Sequence, residues 1–410
     1  MDARGDAHAV KRHVFYSLQA NSSVRVAHII TRMIIGGAQE NTLLNCLDLM
    51  RDYGDDVILI TGTSTGPEGD LLSQGRAGEL PIRYLDSLQR AIQLRDIAAA
   101  RDIRRVLREF QPDVVHTHSA KAGLIGRYVA WGEKVPAVIH SVHGAPFHPY
   151  QNFAAREFFR RCEKWAAKRC HRMISVADAM TDLMVEASVA PREKFITISS
   201  GMDVQPFVDA TKHRENIRAK YGFTDQHIVV GKIARLFHLK GHADLVTAAA
   251  DVIAIEPNVR FLLVGDGILK ESLQQRIGEL GLSDHFVFTG LVPPSEVPPL
   301  IGAMDALVHT SYREGLARAL PQALIAGRPV ISYDVDGARE VAIPGETGFL
   351  VAPGDTDDLA KSISTLVGDA EMRHRMGREG QLRFTDQFRH QTMTRRIRQV
   401  YEEVVAKSAV

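Results

Sequence analysis

Short runs of β-branched and apolar residues alternate along the chain with longer segments whose apolar positions recur at helical spacing. The runs predict strands at Val24–Ile30, Asp56–Ile60, Asp113–His116, Ala137–His140, Arg172–Val176 and Phe195–Ile198. A second series predicts strands at His227–Ile233, Val259–Val264, Phe286–Thr289, Asp305–His309 and Pro329–Tyr333. Helical spacing marks Ile92–Phe110, His242–Ile255 and Leu359–Val367 between them. Strand–helix alternation implies right-handed crossovers and parallel sheets. Val259-Arg-Phe-Leu-Leu-Val264 is apolar at both parities, as expected of a strand covered by helices on both faces.

The alternation pauses in the polar stretch 201–225 and then restarts, which divides the chain into two doubly wound α/β domains. A length of 410 residues agrees, because a single core stops growing at about 250–300 residues. The expected boundaries are an extension over 1–23, a first domain over 24–205 and a second over 206–390. Gln391–Ala406 predicts a last helix with Met393, Ile397, Val400, Tyr401 and Val404 on one side. Two such sheets put their ligands in a cleft between the carboxyl ends of their strands.

Charge narrows the partners. Lysine and arginine number 50 against 49 aspartates and glutamates, a net charge of +1, so no nucleic-acid partner is expected. Three cysteines form neither a disulfide framework nor a C-x-x-C metal pair, which fits a reducing, cytoplasmic setting. No apolar run reaches the roughly 18–20 residues of a spanning helix, and 1–23 lacks the apolar centre of a secretory signal. Work at a membrane would therefore be peripheral, at the inner face of the plasma membrane. Arg156–Arg172 bears on this, since it interleaves Arg160, Arg161, Lys164, Lys168 and Arg169 with Phe158, Phe159, Cys162, Trp165 and Ala166. Two readings stay open: a helix lying on anionic lipid, or one with its apolar side in the core.

The candidate chemistry sits at strand ends. Gly36-Gly37 opens the first helix, where backbone N–H groups reach a ligand. Neither G-x-G-x-x-G nor the P-loop pattern occurs, which removes the main support for dehydrogenase and NTPase readings. His116 and His118 lie two apart at a strand end, as a hydrogen-bonded pair or as metal ligands; the latter would make a metal-dependent hydrolase. His143-Gly144 ends the next strand. In the second half, Arg235 and Lys240 occupy a short loop before a helix, and two cations beside a helix start suit a diphosphate. Gly265-Asp-Gly267 ends a strand, and Glu314-Gly315-Leu316 turns into another helix.

Taken in order, Gly36-Gly37, His116-Thr-His-Ser-Ala-Lys-Ala-Gly123, His143-Gly144, Arg235…Lys240-Gly241, Val264-Gly-Asp-Gly267, Thr289-Gly-Leu291, Glu314-Gly-Leu316 and Gly327-Arg-Pro-Val330 resemble one family. They are similar to the retaining glycosyltransferases of family 4. The resemblance implies the GT-B fold: two Rossmann-like domains facing across a cleft, the first for the acceptor and the second for the nucleotide sugar, with 391–410 crossing back. It implies catalytic roles for Glu314, His143, Arg235 and Lys240. Arg235 and Lys240 would hold the donor diphosphate, Glu314 the sugar hydroxyls, and the Gly315 and Leu316 amides the distal phosphate. Gly36, Gly37, Gly265 and Gly267 would line the nucleotide-sugar site, with Leu291 and Val292 at the base. Gly37, His118 and Lys121 would lie on the acceptor side. No metal or other cofactor is expected. The donor would be a UDP-sugar, with GDP the next choice, and the acceptor a glycan or glycolipid of the cell envelope.

One position departs from the family. A glutamate commonly stands eight residues after the first, where this chain has Gln322. Glutamine still bonds a ribose hydroxyl but gives up a charge-assisted bond, about 1 kcal/mol. That departure keeps open a non-catalytic subunit that binds a sugar nucleotide or glycan. Asp334-Val-Asp336 looks like a metal-binding D-x-D but follows the wrong element, and is read as a loop near the donor sugar.

Overall fold

The computed structural model describes residues 23–64, 69–72 and 75–408; the extension expected over 1–23 lies outside them, Ser23 excepted. Seven strands make the first sheet: β1 (Arg25–Arg32), β2 (Asp56–Gly62), β3 (Ile82–Tyr84), β4 (Val114–His118), β5 (Ala137–Val142), β6 (Arg172–Ser175) and β7 (Phe195–Thr197). They lie in the order β3-β2-β1-β4-β5-β6-β7, all parallel. Six make the second: β8 (Ile228–Ile233), β9 (Val259–Val264), β10 (Phe286–Gly290), β11 (Ala306–His309), β12 (Val330–Tyr333) and β13 (Gly348–Val351). Their order is β10-β9-β8-β11-β12-β13, again parallel. The fold is GT-B.

Every predicted strand has its counterpart, while β3 and β13 were not predicted. Both are short edge strands, and β3 has a largely exposed pattern with no apolar run to mark it. Two aspartates expected to start strands lie just outside them. The Asp113 carboxylate accepts the Arg25 N–H at 2.9 Å and that of Asp305 accepts the Val229 N–H at 2.7 Å, so each caps the neighbouring strand.

The strand order reverses between β1 and β4 in one sheet and between β8 and β11 in the other. Open α/β sheets bind ligands at these crevices, beyond the carboxyl ends of the strands. Gly36-Gly37, Arg235–Gly241 and Glu314 follow β1, β8 and β11, and His118 ends β4, which places the sequence motifs at the two reversals.

The polar stretch between the domains is folded rather than extended. Val204, Phe207 and Ala210 are buried in the second core, and short helices cover Gln205–Val208 and Arg214–Lys220. The chain crosses twice at one place: Met202 N–H donates to Phe388 O at 2.8 Å and His390 N–H to Met202 O at 3.1 Å. The last helix, His390–Ser408, then returns to the first domain. Its Met393, Ile397, Val400, Tyr401 and Val404 pack into the core with Val26, Leu43 and Leu49. Asp48 accepts from His390 Nδ1 (2.7 Å) and Thr394 Oγ1 (3.0 Å), and Arg398 Nε pairs with Asp55 at 3.0 Å. No helix among the described residues is long and apolar enough to cross a membrane.

Candidate functional site

β8 delivers the chain into a tight loop that carries Arg235 and Lys240 and then opens the helix His242–Ile255. This loop rests on the turn after β9. Gly265 (φ +137°) and Gly267 (φ +154°) adopt backbone conformations closed to other residues, and a Cβ at either would lie 2.2 Å from Ala234 O or 2.5 Å from Leu236 O. The two glycines thus seat the cation-bearing loop.

Across the reversal, β11 ends in His309 and leads to Glu314. Glu314 forms an ion pair with Lys240 and lies 3.4 Å from His309 Nε2. Burial opposes its ionisation, but the His309 ring and the Lys240 ammonium outweigh this and hold the carboxyl well below its usual range. The Glu314 N–H donates to Asp336 Oδ2 at 2.7 Å, and Asp334 is clasped by Arg339 at 2.6 Å. Asp336 thus fixes the backbone at Glu314, while Asp334 is held within its own loop. Arg235 is exposed, stacks 5.1 Å from the Phe237 ring and has no carboxylate partner among the described residues.

Beneath this loop lies Lys232, which sequence reasoning passed over as a strand residue. Its side chain is fully buried, and its Nζ donates to Thr310 Oγ1 at 2.7 Å. Burial, reinforced by the nearby Lys240 charge, lowers its pKa from 10.5 to about 7.

The first domain faces this with histidines. His143 Nε2 shares a proton with His118 Nδ1 (3.2 Å), and His118 Nε2 with His28 Nδ1 (3.0 Å). Burial lowers His143 to about 4, helped by the Arg318 charge, and His28 to about 3. His116 lies in the same group, its ring nitrogens bonded to Tyr401 Oη (2.5 Å) and Ser141 Oγ (2.8 Å). His28, His116 and His118 each bring a nitrogen within 4.8 Å of the others. A metal there would have to displace these bonds. A cavity of about 290 Å³ beside His143 is lined by Ala38, Ser119, His140, Ser141 and Pro146.

The two domains touch across the cleft. Arg318 pairs with Glu40 (3.0 Å) and donates to Gly37 O (3.1 Å), and Arg313 donates to Ala145 O. A Cβ on Gly315 would lie 2.5 Å from His143 O, so only glycine allows this approach. Leu316 packs against the cores of both domains. Gly315, next to Glu314, therefore meets His143, and Gly37 meets Arg318.

Other expected residues lie elsewhere. His118 is fully buried behind His143. Lys121 is tied to Asp96 at 2.5 Å and to Ala91 O. Leu291 is exposed after β10, Val292 packs on the second core, and Gln322 is half-buried in the helix Ala319–Ile325. His309 and Arg318 were also missed. Arg318 lies four residues after Glu314 in the recognised segment, but nothing local shows that it crosses the cleft.

The profile of the family described as "Glycosyl transferase 4-like domain" matches residues 37–201, and that described as "Glycosyl transferases group 1" matches residues 213–383. The chain belongs to this glycosyltransferase family. Among relatives of the transferase is the UDP-Gal:α-D-GlcNAc-diphosphoundecaprenol α-1,3-galactosyltransferase of Escherichia coli. The two are 25% identical over 353 residues, 85% of this chain and 89% of that one. The capsular polysaccharide biosynthesis glycosyltransferase CapM of Staphylococcus aureus is 24% identical over 331 residues, 77% of this chain and 84% of its own. Anabaena HepE, solved in complex with UDP-glucose, has the same fold (TM-score 0.77, 21% identity, 93% of this chain and 100% of that one).

Proposed function

We propose that this glycosyltransferase moves a hexose-type sugar from a UDP-sugar to a lipid-linked or glycan acceptor of the cell envelope, with retention at the anomeric carbon. The observation that carries the reading is the cluster of Lys240 and Lys232 with Glu314 at the second reversal, with Arg235 in the same loop and the adjacent Gly315 packed against His143 of the first domain. Cleavage of a sugar–diphosphate bond places negative charge on the departing phosphate, and cations already in place in a partly dry site stabilise it. The donor diphosphate competes with Glu314 for Lys240. Glu314, kept ionised, then accepts hydrogen bonds from the sugar hydroxyls, and the Gly315 and Leu316 amides meet the distal phosphate. His143, neutral above about pH 4, lies beside the sugar without adding positive charge to an oxocarbenium-like carbon. The leaving phosphate itself takes the acceptor's proton on the same face. These cations do the work a metal would otherwise do.

UDP is favoured over GDP because HepE binds UDP-glucose and the E. coli relative is named for UDP-Gal. The E. coli relative's acceptor is a diphosphoundecaprenol, which supports a lipid-linked acceptor here. The test is UDP release from UDP-glucose, UDP-galactose and UDP-N-acetylglucosamine with and without chelator. Lys240→Ala should lower turnover at least about 100-fold with the fold intact, the size seen when one transition-state charge contact is lost. Undiminished turnover in both Lys240→Ala and Glu314→Ala would refute the reading. UDP binding without any turnover would favour a non-catalytic subunit.

A further inference from the structure

The helix Phe153–Ala167 buries only Glu163, Ala166 and Ala167. Phe159 also packs on the first core, but the other three aromatic residues face outward: Phe153 is 82% exposed, Phe158 53% and Trp165 41%. Phe158 and Trp165 are seven residues apart, so they share one stripe of the helix, with Arg161 and Lys168 flanking it. The stripe continues onto its neighbours. The Trp165 ring lies 5.8 Å from Tyr128 of the helix Ala120–Gly132, which also exposes Trp131. A groove of about 590 Å³ lined by Ile97, Ala100, Leu124, Tyr128 and Trp165 joins these to the helix Arg95–Phe110. Just before that helix, Ile92 and Leu94 are largely exposed. Monomer surfaces seldom gather this much large apolar area on one face.

The charge on this face is uneven. Glu157 is neutralised by Arg160 and Arg161, Glu133 by Arg104 and Arg108, and Asp96 by Lys121. Arg156, Lys164 and Lys168 have no carboxylate partner among the described residues. Lys164, Lys168 and Lys194 also line a cavity of about 440 Å³ with Val185, Val189 and Pro191. Apolar side chains ringed by unpaired cations are complementary to the headgroup–acyl boundary of an anionic bilayer. The end of the face where these helices start borders the cleft. The helix Ala120–Gly132 follows His118, and Phe153–Ala167 follows the loop that leaves His143.

We propose that this three-helix face docks on an anionic membrane, with Ile92, Leu94, Phe153, Phe158 and Trp165 at the acyl boundary and Arg156, Lys164 and Lys168 on lipid phosphates. Docking there holds the mouth of the cleft at the lipid surface, where a lipid-linked acceptor presents its sugar. The purpose of the contact rests on the proposed acceptor, but the test below does not.

The two tryptophans of the chain, Trp131 and Trp165, both lie on this face and report on it directly. The full chain is mixed with vesicles of phosphatidylcholine alone or with about one-third phosphatidylglycerol, some carrying brominated acyl chains. Anionic vesicles should float the protein, shift its emission to the blue and quench it, and 0.5 M salt should reverse much of this. Phe153→Ser/Phe158→Ser and, separately, Lys164→Glu/Lys168→Glu should each weaken partitioning at least tenfold, with UDP binding unchanged. No flotation of the wild type on anionic vesicles at low salt overturns the proposal. So does flotation that both double variants retain. A concentration-dependent dimer abolished by Phe153→Ser/Phe158→Ser would assign the face to a second copy, and also overturns it. Failure of transferase activity alone would touch the proposed function and not this one.

Discussion

Lys232→Met isolates the electrostatic logic of the proposed donor pocket. The lysine is fully buried, bonds only the Thr310 hydroxyl, and faces Lys240 and Glu314 from the loops, His242 and Asp244 from the helix below, and His309 from β11. Its pKa falls from 10.5 to about 7. At about 1.4 kcal/mol per unit, burying the protonated form costs on the order of 5 kcal/mol. Methionine fills the space and removes that cost. Thr310 Oγ1 still donates to Gly241 O at 2.6 Å, so the lost hydrogen bond returns only about 1 kcal/mol. The variant should therefore gain roughly 3–4 kcal/mol at pH 6.5. The sign follows from proton counts. Between pH 7 and 10.5 the unfolded chain holds a proton that the folded one has lost, so wild-type stability rises with pH. The variant's advantage is full below pH 7 and gone above about 10.5. Its affinity for UDP should fall about tenfold, because a cation under the proposed diphosphate site is gone. Urea midpoints at pH 6.5, 8 and 9.5, with titration calorimetry of UDP, read both effects. A variant less stable than wild type at pH 6.5, or an advantage that does not shrink with pH, would refute the reasoning.

Three further outcomes are expected. His28, His116, His118, His140 and His143 are all held neutral by burial, so stability should fall as pH drops below 6.5, by up to about 1.4 kcal/mol per pH unit for each. A melting temperature that stays level from pH 7 to 5 would contradict this. Tyr401→Phe leaves the buried His116 Nδ1 without its partner and should cost about 1–3 kcal/mol in thermal unfolding with UDP affinity unchanged; an unaltered melting temperature counts against it. Arg318→Ala removes the links to Glu40 and Gly37 across the cleft and should raise both the radius of gyration in solution scattering and the donor KM. Neither changing would show that the contact does not hold the domains together.

Much of the architecture was legible because parallel strands buried on both faces read as continuous apolar runs, which 3.6-periodic helices separate. The motif glycines and cations were legible because their order along the chain follows the order of the strand ends. Lys232 was not, since one lysine among β-branched residues carries no local sign of where its ammonium goes. The helix 153–167 was legible as amphipathic, but its apolar stripe could equally have met core or solvent. Only the packing of its neighbours shows that Phe158 and Trp165 stay outside.

The sequence by itself determined the element types, the two strand series and the residues of the loop that carries Arg235 and Lys240, because these depend on residues close along the chain. Tertiary structure alone decided that His28, His118 and His143 form one hydrogen-bonded row, that Tyr401 returns from the last helix to bond His116, and that Arg318 bridges the domains. Those contacts join residues tens to hundreds of positions apart. Hydrophobic periodicity marks the apolar face of an element, but not what, if anything, covers it.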